Sequence, residues 1–204
     1  FVVLLWIATE RATFLVMGTV LFTAGAVLAW RMFSNVQDRI DLWLDPWSRF
    51  GGSTIATDKG RQAVQAWFAF ANGGLAGTGL GQGAPNKIPA VQNDYIFAAI
   101  GEELGLLGAT AILIAFLLII GSGLAIAVKA ERPFEKLLAT GLTTILGVQA
   151  FVIIGGVTRL LPLTGVTLPF VSYGGSSLVA NFALLGLLMR ISDSSARRNR
   201  EIPD

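Results

Sequence analysis

The stretch LGLLGATAILIAFLLIIGSGLAIAV, residues 104–128, runs for 25 residues without a charged side chain. About 20 apolar residues in an α-helix cross a bilayer core of about 30 Å, so this run is long enough to span a membrane. A buried helix of a soluble protein would rarely stay uncharged over such a length. Further charge-free runs cover residues 12–30, 137–158 and 160–189. The pattern predicts an all-α, polytopic integral membrane protein.

The composition agrees with the membrane class and narrows the possible chemistry. Of the 204 residues, 53% are hydrophobic and 14% are charged, whereas soluble domains carry about 25% charged residues. The sequence contains no cysteine, which excludes disulfides, thiol nucleophiles and thiolate metal sites. It also contains no histidine, so acid–base chemistry would fall to carboxylates, lysine or tyrosine. A metal site would be built from oxygen ligands, which suits hard ions such as Mg²⁺.

Polar stretches divide the chain into four full transmembrane helices plus part of one. Phe1 opens an apolar stretch without the basic flank of a signal peptide, so we expect 1–204 to be part of a larger membrane domain. The predicted order is the end of a span at 1–8, a membrane helix at 12–30, a large structured extracytoplasmic loop at 31–93, membrane helices at 94–128 and 137–158, a broken, re-entrant or extracytoplasmic segment at 159–175, a last membrane helix at 176–190 and a cytoplasmic tail at 191–204.

The short loops predict the orientation in the membrane. Basic residues collect on one side of the predicted spans, whereas the short connection on the opposite side carries Arg159 alone. An excess of Lys and Arg marks the cytoplasmic side, so the basic loops and the C-terminus are predicted to be cytoplasmic and Asp94 to face outward. The basic residues are Arg11, Lys129, Arg132, Lys136, Arg190, Arg197, Arg198 and Arg200.

Segment 31–93 is predicted to form an ordered cap because it contains an amphipathic helical pattern at residues 61–71. Such a helix would lie on the membrane surface or pack against the spans, and the pattern is compatible with both. The residues predicted on its apolar face are Ala63, Val64, Trp67, Phe68 and Ala71.

Carboxylates at the start of the predicted helix 94–128 are costly in a membrane and therefore informative. Asp94 would act as a general base or an ion ligand at the outer face; the alternative is a helix N-cap formed by Asn93 or Asp94. Glu102 lies about 12 Å further along an ideal helix, so it cannot share a proton with Asp94. We expect Glu102 and Glu103 to face the bundle interior, a cavity or a basic partner, or to anchor helix packing.

A glycine-rich stretch, ANGGLAGTGLGQG at residues 71–83, precedes Asp94. Its spacing is neither a Rossmann nor a P-loop fingerprint. Glycines such as Gly79 and Gly81 permit positive φ and a close backbone approach. The loop would bring backbone N–H groups and Lys87 towards an anionic ligand, or it would form tight turns that fold the cap.

The stretch PFVSYGGSSL, residues 169–178, opens the last predicted helix. Small residues at a helix N-terminus leave N–H groups free to bind phosphate, and the helix dipole favours an anion there. The alternative is a broken helix whose backbone is satisfied by protein groups. The candidate ligand contacts in this region are Arg159, Ser172, Gly174, Gly175, Ser176 and Ser177.

Three segments together carry a family resemblance: GTGLGQG at 77–83, DYIFAAIGEELGLLG at 94–108 and LPLTGVTLPFVSYGGSS at 161–177. They resemble the signature segments of the SEDS family (shape, elongation, division and sporulation), of the RodA and FtsW type. Their order and spacing match as well, over roughly residues 37–191. The family implies about ten membrane helices, of which this chain would supply the C-terminal half.

The resemblance implies a peptidoglycan glycosyltransferase that polymerises lipid II into glycan strands at the outer face of the bacterial cytoplasmic membrane, for cell-wall elongation or division. It implies a class B penicillin-binding protein, a transpeptidase, as partner, together with other elongation or division proteins and membrane lipids. It also implies dependence on a divalent cation, Mg²⁺ or Mn²⁺. We expect no nucleic-acid partner.

The essential acidic residue of the family falls on Asp94, which would be the catalytic base or a possible metal ligand. The family often reads Pro-Glu-x-His-Thr-Asp-Phe, whereas residues 89–95 here read Pro-Ala-Val-Gln-Asn-Asp-Tyr. The carboxylate therefore persists where its neighbours differ. Lys87, Gln92 and Asn93 are candidate substrate contacts, with the groups of the last predicted helix as further contacts for a pyrophosphate.

Two other functions are compatible with the same sequence. A transporter that flips lipid-linked precursors would also contain buried glutamates and broken helices. A non-enzymatic scaffold of the cell-wall machinery would not need the Asp94 carboxylate. Strand growth from lipid II by the isolated protein distinguishes the enzyme from both.

Overall fold

The computed structural model describes residues 2–9, 11–47, 55–84, 87–89 and 91–201. Within these ranges the chain forms helices and no strand, which confirms the all-α prediction. Parts of the predicted span end, loop and tail, at residues 1, 48–54, 85–86, 90 and 202–204, lie outside the described residues. The helices are α1 (Val2–Thr9), α2 (Thr13–Met32), α3 (Ser34–Leu44), α4 (Ile55–Gly73), α5 (Ile96–Glu103), α6 (Gly105–Lys129), α7 (Pro133–Val157) and α8 (Gly175–Glu201).

Among the described residues, four helices are long and apolar enough to cross a membrane. They are Thr13–Met32, Gly105–Lys129, Pro133–Val157 and Gly175–Arg198. Many of their large apolar side chains stay exposed, such as Phe22 and Leu117, as expected of surfaces that face lipid. The protein is therefore a multi-pass membrane protein, as predicted.

Alternation of the four spans gives the molecule two ends. The C-terminal ends of α2 and α7 and the N-terminal ends of α6 and α8 lie at the end that also carries α3, α4, α5 and residues 158–174. We name this end the cap face. The opposite end carries the α6–α7 connection and the C-terminal part of α8, and we name it the basic face.

The predicted single helix over 94–128 is two helices, and this prediction was wrong. Helix α5 begins at Ile96 and ends at Glu103, and α6 begins at Gly105, whose φ is 66°. The glycine-rich loop satisfies the backbone groups that the break exposes. Thr78 and Gly79 donate to the carbonyls of Glu102 and Glu103 at 2.9 and 3.0 Å. Leu106 and Leu107 donate to the carbonyls of Gly74 and Leu75 at 2.9 and 3.2 Å, so the loop pairs backbone groups of both helix ends.

The last helix is longer than predicted, because α8 continues through residues 191–201 that were expected to form a tail. The guanidinium of Arg198 pairs with the carboxylate of Glu135 at the start of α7, and the Ser194 hydroxyl donates to the same carboxylate at 3.4 Å. Ile191 is also buried, in a cluster that includes apolar residues of α6 and α7. These contacts hold the extension against the bundle.

The predicted structured cap at 31–93 contains α3 and α4, and α4 packs on α5. The rings of Phe70 and Phe97 lie 5.9 Å apart, and Ala66 and Ala69 are buried with Tyr95 in the main core cluster. The predicted apolar face of α4 is only partly correct, because Val64 is buried and Ala63 and Trp67 are half-buried, as expected for that face. Val64 is buried with Ala66 and Ala69, whereas Phe68 and Ala71 are exposed. Packing against α5, rather than against the membrane, selects that face.

Candidate active site

A cleft of about 110 Å³ opens on the cap face between α3, α4 and the segment that follows α7. Asp94 lines it, together with the guanidinium-bearing residues Arg39 and Arg159. Trp67 of α4 and Gly165 line the cleft as well. The cleft thus combines one carboxylate, two guanidinium groups and the aromatic side chains of Trp43, Trp67 and Tyr95. This combination suits a ligand with both sugar-like hydroxyls and negative charge.

Asp94 faces Arg39 across Gly165. An atom at the Cβ position of Gly165 would stand 3.4 Å from Asp94 Oδ2 and 3.5 Å from Arg39 Nη2. Gly165 has a φ of 74°, so glycine suits this position both for its backbone and for the space around it. Arg39 is held in place because its Nη1 donates to the carbonyl of Leu163 at 2.6 Å.

The structure excludes the alternative of a helix cap for Asp94. Tyr95 occupies the N-cap position of α5, and no side chain caps that helix. Asp94 itself is half-buried and faces the cleft. Its carboxylate is therefore available for a ligand.

Burial raises the pKa of Asp94 above its ordinary value of 3.8, and the positive charge of Arg39 opposes this shift. Burial also raises the pKa of Tyr95, and the negative charge of Asp94 adds to that effect. Tyr95 therefore stays protonated at neutral pH and cannot serve as a base. A carboxylate with a raised pKa holds a proton more readily, which is the property that a general base needs.

The predicted serine-rich segment holds the Asp94 loop in position. Ser172 Oγ donates to the carbonyl of Asn93 at 2.6 Å and accepts from the N–H of Leu168 at 2.8 Å. The N–H of Tyr173 donates to the carbonyl of Gln92 at 2.8 Å. Ser172 is only 2% exposed, so it positions this loop instead of contacting substrate as predicted.

The remaining predicted contacts at the start of α8 do not line the Asp94 cleft. Ser177 Oγ accepts hydrogen bonds from Thr167 Oγ1 at 2.8 Å and from Asn181 Nδ2 at 3.2 Å. A Cβ on Gly174 would lie 3.4 Å from Thr167 Cγ2. Gly175 and Ser176 are exposed on the same face. The first turn of α8 therefore lies outside the Asp94 cleft, and the Thr167–Ser177 hydrogen bond holds it against the segment that precedes it.

Arg159 lines the cleft as predicted, but much of its hydrogen-bonding capacity is used within the protein. Its Nε and Nη2 donate to the carbonyls of Trp43 and Leu44 at 3.1 and 2.8 Å, at the C-terminal end of α3. Trp43 Nε1 donates in return to the Arg159 carbonyl at 3.0 Å. The guanidinium carbon lies 5.0 Å from the ring centre of Trp67, within range of a cation–π contact. Arg159 therefore fastens α3 and α4 to the wall of the cleft.

Lys87 and the two glutamates lie elsewhere. Lys87 and Glu102 line a separate cavity with Gln65 and Asn72, and Glu102 is 4% exposed. Glu102 Oε2 and Gln65 Oε1 have no hydrogen-bond partner in the described part of the chain. Glu103 lines a third depression, which includes Gln92. The structure thus does not bring Lys87 to Asp94.

The glycine-rich loop forms tight turns, which was one of its two predicted roles. Gly79 and Gly81 have φ values of 102° and 72°, and neither lines the Asp94 cleft. Asn93, beside Asp94, has a buried Oδ1 without a hydrogen-bond partner among the described residues. Asn93 does not line the Asp94 cleft, although it was predicted as a substrate contact.

Sequence reasoning missed Arg39, Trp67 and Gly165 as site residues. Arg39 and Trp43 are four residues apart on α3 and therefore share one helical face. That spacing was the available signal for Arg39. Gly165 carried no comparable signal, because its importance depends on two side chains from distant parts of the sequence.

The described residues contain no group of three or more His, Cys, Asp or Glu side chains that would hold a metal ion. Mg²⁺ commonly binds through one or two carboxylates together with substrate phosphates and water. Asp94 fits this arrangement, as a single carboxylate that would hold the ion together with substrate phosphates and water. A preformed site made of protein ligands alone does not fit the cleft.

Comparisons with known proteins show which proteins this chain resembles. "Peptidoglycan glycosyltransferase RodA" of Mycobacterium tuberculosis (strain ATCC 25618 / H37Rv) is 48% identical over 203 residues, which is 100% of this chain and 42% of the relative. "Probable peptidoglycan glycosyltransferase FtsW" of Geobacter sulfurreducens (strain ATCC 51573 / DSM 12127 / PCA) is 44% identical over 156 residues, 76% of this chain and 40% of the relative. This chain thus spans about two fifths of the length of these relatives.

A solved structure described as "Structural coordination of polymerization and crosslinking by a peptidoglycan synthase complex" contains a similar chain. The TM-score is 0.74 at 25% identity, over 94% of this chain and 52% of the other. The family model FTSW_RODA_SPOVE, described as "Cell cycle protein", matches residues 1–197. The chain therefore belongs to the FtsW/RodA/SpoVE family of cell cycle proteins.

Proposed function

We propose that the protein is a peptidoglycan glycosyltransferase that polymerises lipid II into glycan strands at the outer face of the bacterial cytoplasmic membrane. The observation that carries this proposal is the half-buried Asp94 carboxylate, which faces Arg39 at the cap face. The identity of 48% to a protein named peptidoglycan glycosyltransferase RodA supports it. The positive-inside rule supports the orientation, because it places the basic face in the cytoplasm and Asp94 outside.

The reaction joins a sugar hydroxyl of one chain to the anomeric carbon of another that bears a lipid diphosphate. The new bond forms between the hydroxyl oxygen and the anomeric carbon, and the bond from that carbon to the diphosphate oxygen breaks. A hydroxyl is a poor nucleophile, so the proton must leave as the oxygen attacks. Asp94 is the base that receives it, a role that typically contributes about 10²–10⁴-fold in rate.

The departing diphosphate needs positive charge close to the base. Arg39 presents Nη2 towards the same space as Asp94 Oδ2, and Arg159 lines the same cleft. Guanidinium groups suit diphosphate oxygens because they donate charge-assisted hydrogen bonds in a planar arrangement. In the alternative role Asp94 would hold a divalent cation, Mg²⁺ or Mn²⁺, which would supply further charge neutralisation near the diphosphate.

The lipid chain of the substrate would reach the cleft from the bilayer, since the cleft lies at the ends of the spans. A class B penicillin-binding protein would crosslink the strands that emerge on the outer side. The similarity to a chain of a peptidoglycan synthase complex supports such a partner. Other elongation or division proteins belong to the same proposal.

The decisive experiment compares Asp94→Asn with the wild type, as purified full-length protein supplied with fluorescent lipid II. We expect strand formation to fall about 10²–10⁴-fold, because the amide cannot accept the proton. Asp193→Asn on the basic face is the matched control and should retain the wild-type rate. Normal strand growth by Asp94→Asn would exclude the base role.

Two further measurements separate the alternatives. Movement of lipid II between the two leaflets of a vesicle membrane, without strand growth, would identify a transporter instead of a polymerase. Titration of Mg²⁺ or Mn²⁺ separates base from ligand, because loss of a metal ligand would be partly compensated by more metal, whereas loss of the base would not.

A further inference from the structure

A cavity of about 470 Å³ lies at the basic face between α6 and α8, at the opposite end of the spans from Asp94. Its polar lining consists of Ser122 and Lys129 from α6 and Ser192 and Ser195 from α8. The other lining residues are Ala125, Ile126 and Ala196. The cavity therefore offers hydroxyl groups and one ammonium group, and no carboxylate.

Ser195 is the most informative of these residues. It is only 6% exposed, and its Oγ has no hydrogen-bond partner in the described part of the chain. Hydroxyls inside these helices usually donate to the carbonyl four residues earlier, as Thr140 and Thr144 do at 2.8 and 2.7 Å. The neighbouring Ser194 donates to the Ile191 carbonyl and to Glu135. A buried hydroxyl without a partner is unfavourable unless a ligand supplies one.

The charges around the cavity leave Lys129 available. Asp193 is paired with Arg197 at 3.0 Å and with Arg190 at 3.6 Å. Glu135 is paired with Arg198 and Arg132. Lys129 forms no ion pair with the described residues, and it stands at the rim of the cavity. Asp193 and Glu135 are therefore paired with arginines. The exposed Glu131 forms no ion pair with the described residues but does not line the cavity, so Lys129 is the charged group left for a ligand there.

We propose that this cavity binds a negatively charged phosphate group. Hydroxyl donors with one ammonium group and no lining carboxylate are suited to phosphate oxygens and unsuited to a cation. Ser122 lies within the span and Lys129 at its end, so the cavity covers the depth where lipid headgroups begin. Basic pockets between helices on the cytoplasmic side are known to hold anionic lipid headgroups. The site is distinct from the cleft at the cap face and does not depend on the proposed reaction.

The test uses delipidated full-length protein in detergent and native mass spectrometry. One arm adds phosphatidylglycerol or zwitterionic phosphatidylcholine, and the other adds inorganic phosphate alone. The variants are Lys129→Gln and Ser195→Ala. Their matched controls are Lys136→Gln, an exposed lysine of the same face outside the cavity, and Ser194→Ala, the adjacent hydroxyl that points elsewhere.

We expect wild-type protein to retain phosphatidylglycerol in preference to phosphatidylcholine. Lys129→Gln should weaken retention about fivefold and Ser195→Ala about tenfold, with both controls unchanged. Binding of inorganic phosphate with the same sensitivity to both variants, but without a lipid preference, would support the site with a soluble phosphate as its source. No binding in either arm, or equal losses in variants and controls, would overturn the proposal.

Discussion

Ser172 Oγ donates a hydrogen bond of 2.6 Å to the carbonyl of Asn93, the residue that immediately precedes Asp94. The bond joins two parts of the chain that are 79 residues apart in sequence. A second bond, from the N–H of Tyr173 to the carbonyl of Gln92, lies beside it. The segment before α8 therefore sets where the Asp94 carboxylate stands in its cleft.

Ser172→Ala should lower both stability and turnover. The change leaves the Asn93 carbonyl and the Leu168 N–H without their partner in a buried place, which costs about 1–3 kcal/mol. Because the Asp94 loop loses an anchor, we expect kcat to fall more than KM rises. Thermal unfolding in detergent and strand formation from lipid II measure the two effects. Ser176→Ala, an exposed serine four residues on, should change neither.

The rate of strand formation should fall on the acidic side as the Asp94 carboxylate takes up a proton. Burial raises the pKa of Asp94, so this fall should be centred above pH 3.8. Arg39 holds that pKa down, so Arg39→Gln should raise it further and move the acidic limb of the pH profile to higher pH. Arg39→Lys keeps the positive charge and should restore most of the original position of the limb.

Lys87→Gln is the control for this pH prediction, because Lys87 is a cation of the cap face that lies outside the Asp94 cleft. Its acidic limb should coincide with that of the wild type. An acidic limb that is the same in Arg39→Gln and in the wild type would show that Asp94 is not the group that titrates.

The spans and the break between α5 and α6 differ in how far they could be predicted. Four membrane helices follow from charge-free runs, since the bilayer imposes their length and polarity on local sequence. The break at Leu104 does not follow from local sequence, because residues 94–128 contain no proline and several helical glycines. It requires the loop at Gly74–Gly79 to satisfy the exposed backbone groups, and that pairing is tertiary.

The residues of the candidate site also differ in how far the sequence could predict them. Asp94 stood out because a carboxylate at the mouth of an apolar helix is costly, and because it matched a family signature. Arg39 did not stand out, since α3 contains charged residues of both signs. Its place opposite Asp94 depends on the path of the segment around Gly165. Lys87 was predicted at the site because the glycine-rich loop would bring it towards an anionic ligand, but it lines another cavity.

Arg159→Lys tests whether Arg159 serves chiefly to hold the cleft together. Lysine retains the charge but cannot donate to the carbonyls of Trp43 and Leu44 from a planar group or stack in the same way on Trp67. We expect the free energy of unfolding to fall by about 1 kcal/mol. Arg132→Lys on the basic face, an exposed arginine, is the control and should unfold at the wild-type temperature. Equal melting temperatures for Arg159→Lys and the wild type would contradict the structural role.

Gly105→Ala tests the break between α5 and α6. Gly105 has a φ of 66°, and a Cβ there would lie 2.3 Å from the N atom of Gly77, so backbone would have to move. We expect a loss of about 2 kcal/mol or more in the free energy of unfolding, since alanine is strained at positive φ and the loop contact is lost as well.

Gly121→Ala in the middle of α6 is the matched control for this prediction, because the added Cβ would meet no atom of the other described residues within 4 Å, apart from the backbone of its own helix. Alanine favours the helix over glycine by about 1 kcal/mol, so this variant should be as stable as the wild type or slightly more so. Thermal unfolding of both variants in the same detergent gives the comparison. If Gly105→Ala were as stable as Gly121→Ala, α5 and α6 would form one continuous helix, and the glycine-rich loop would not be needed to satisfy a break.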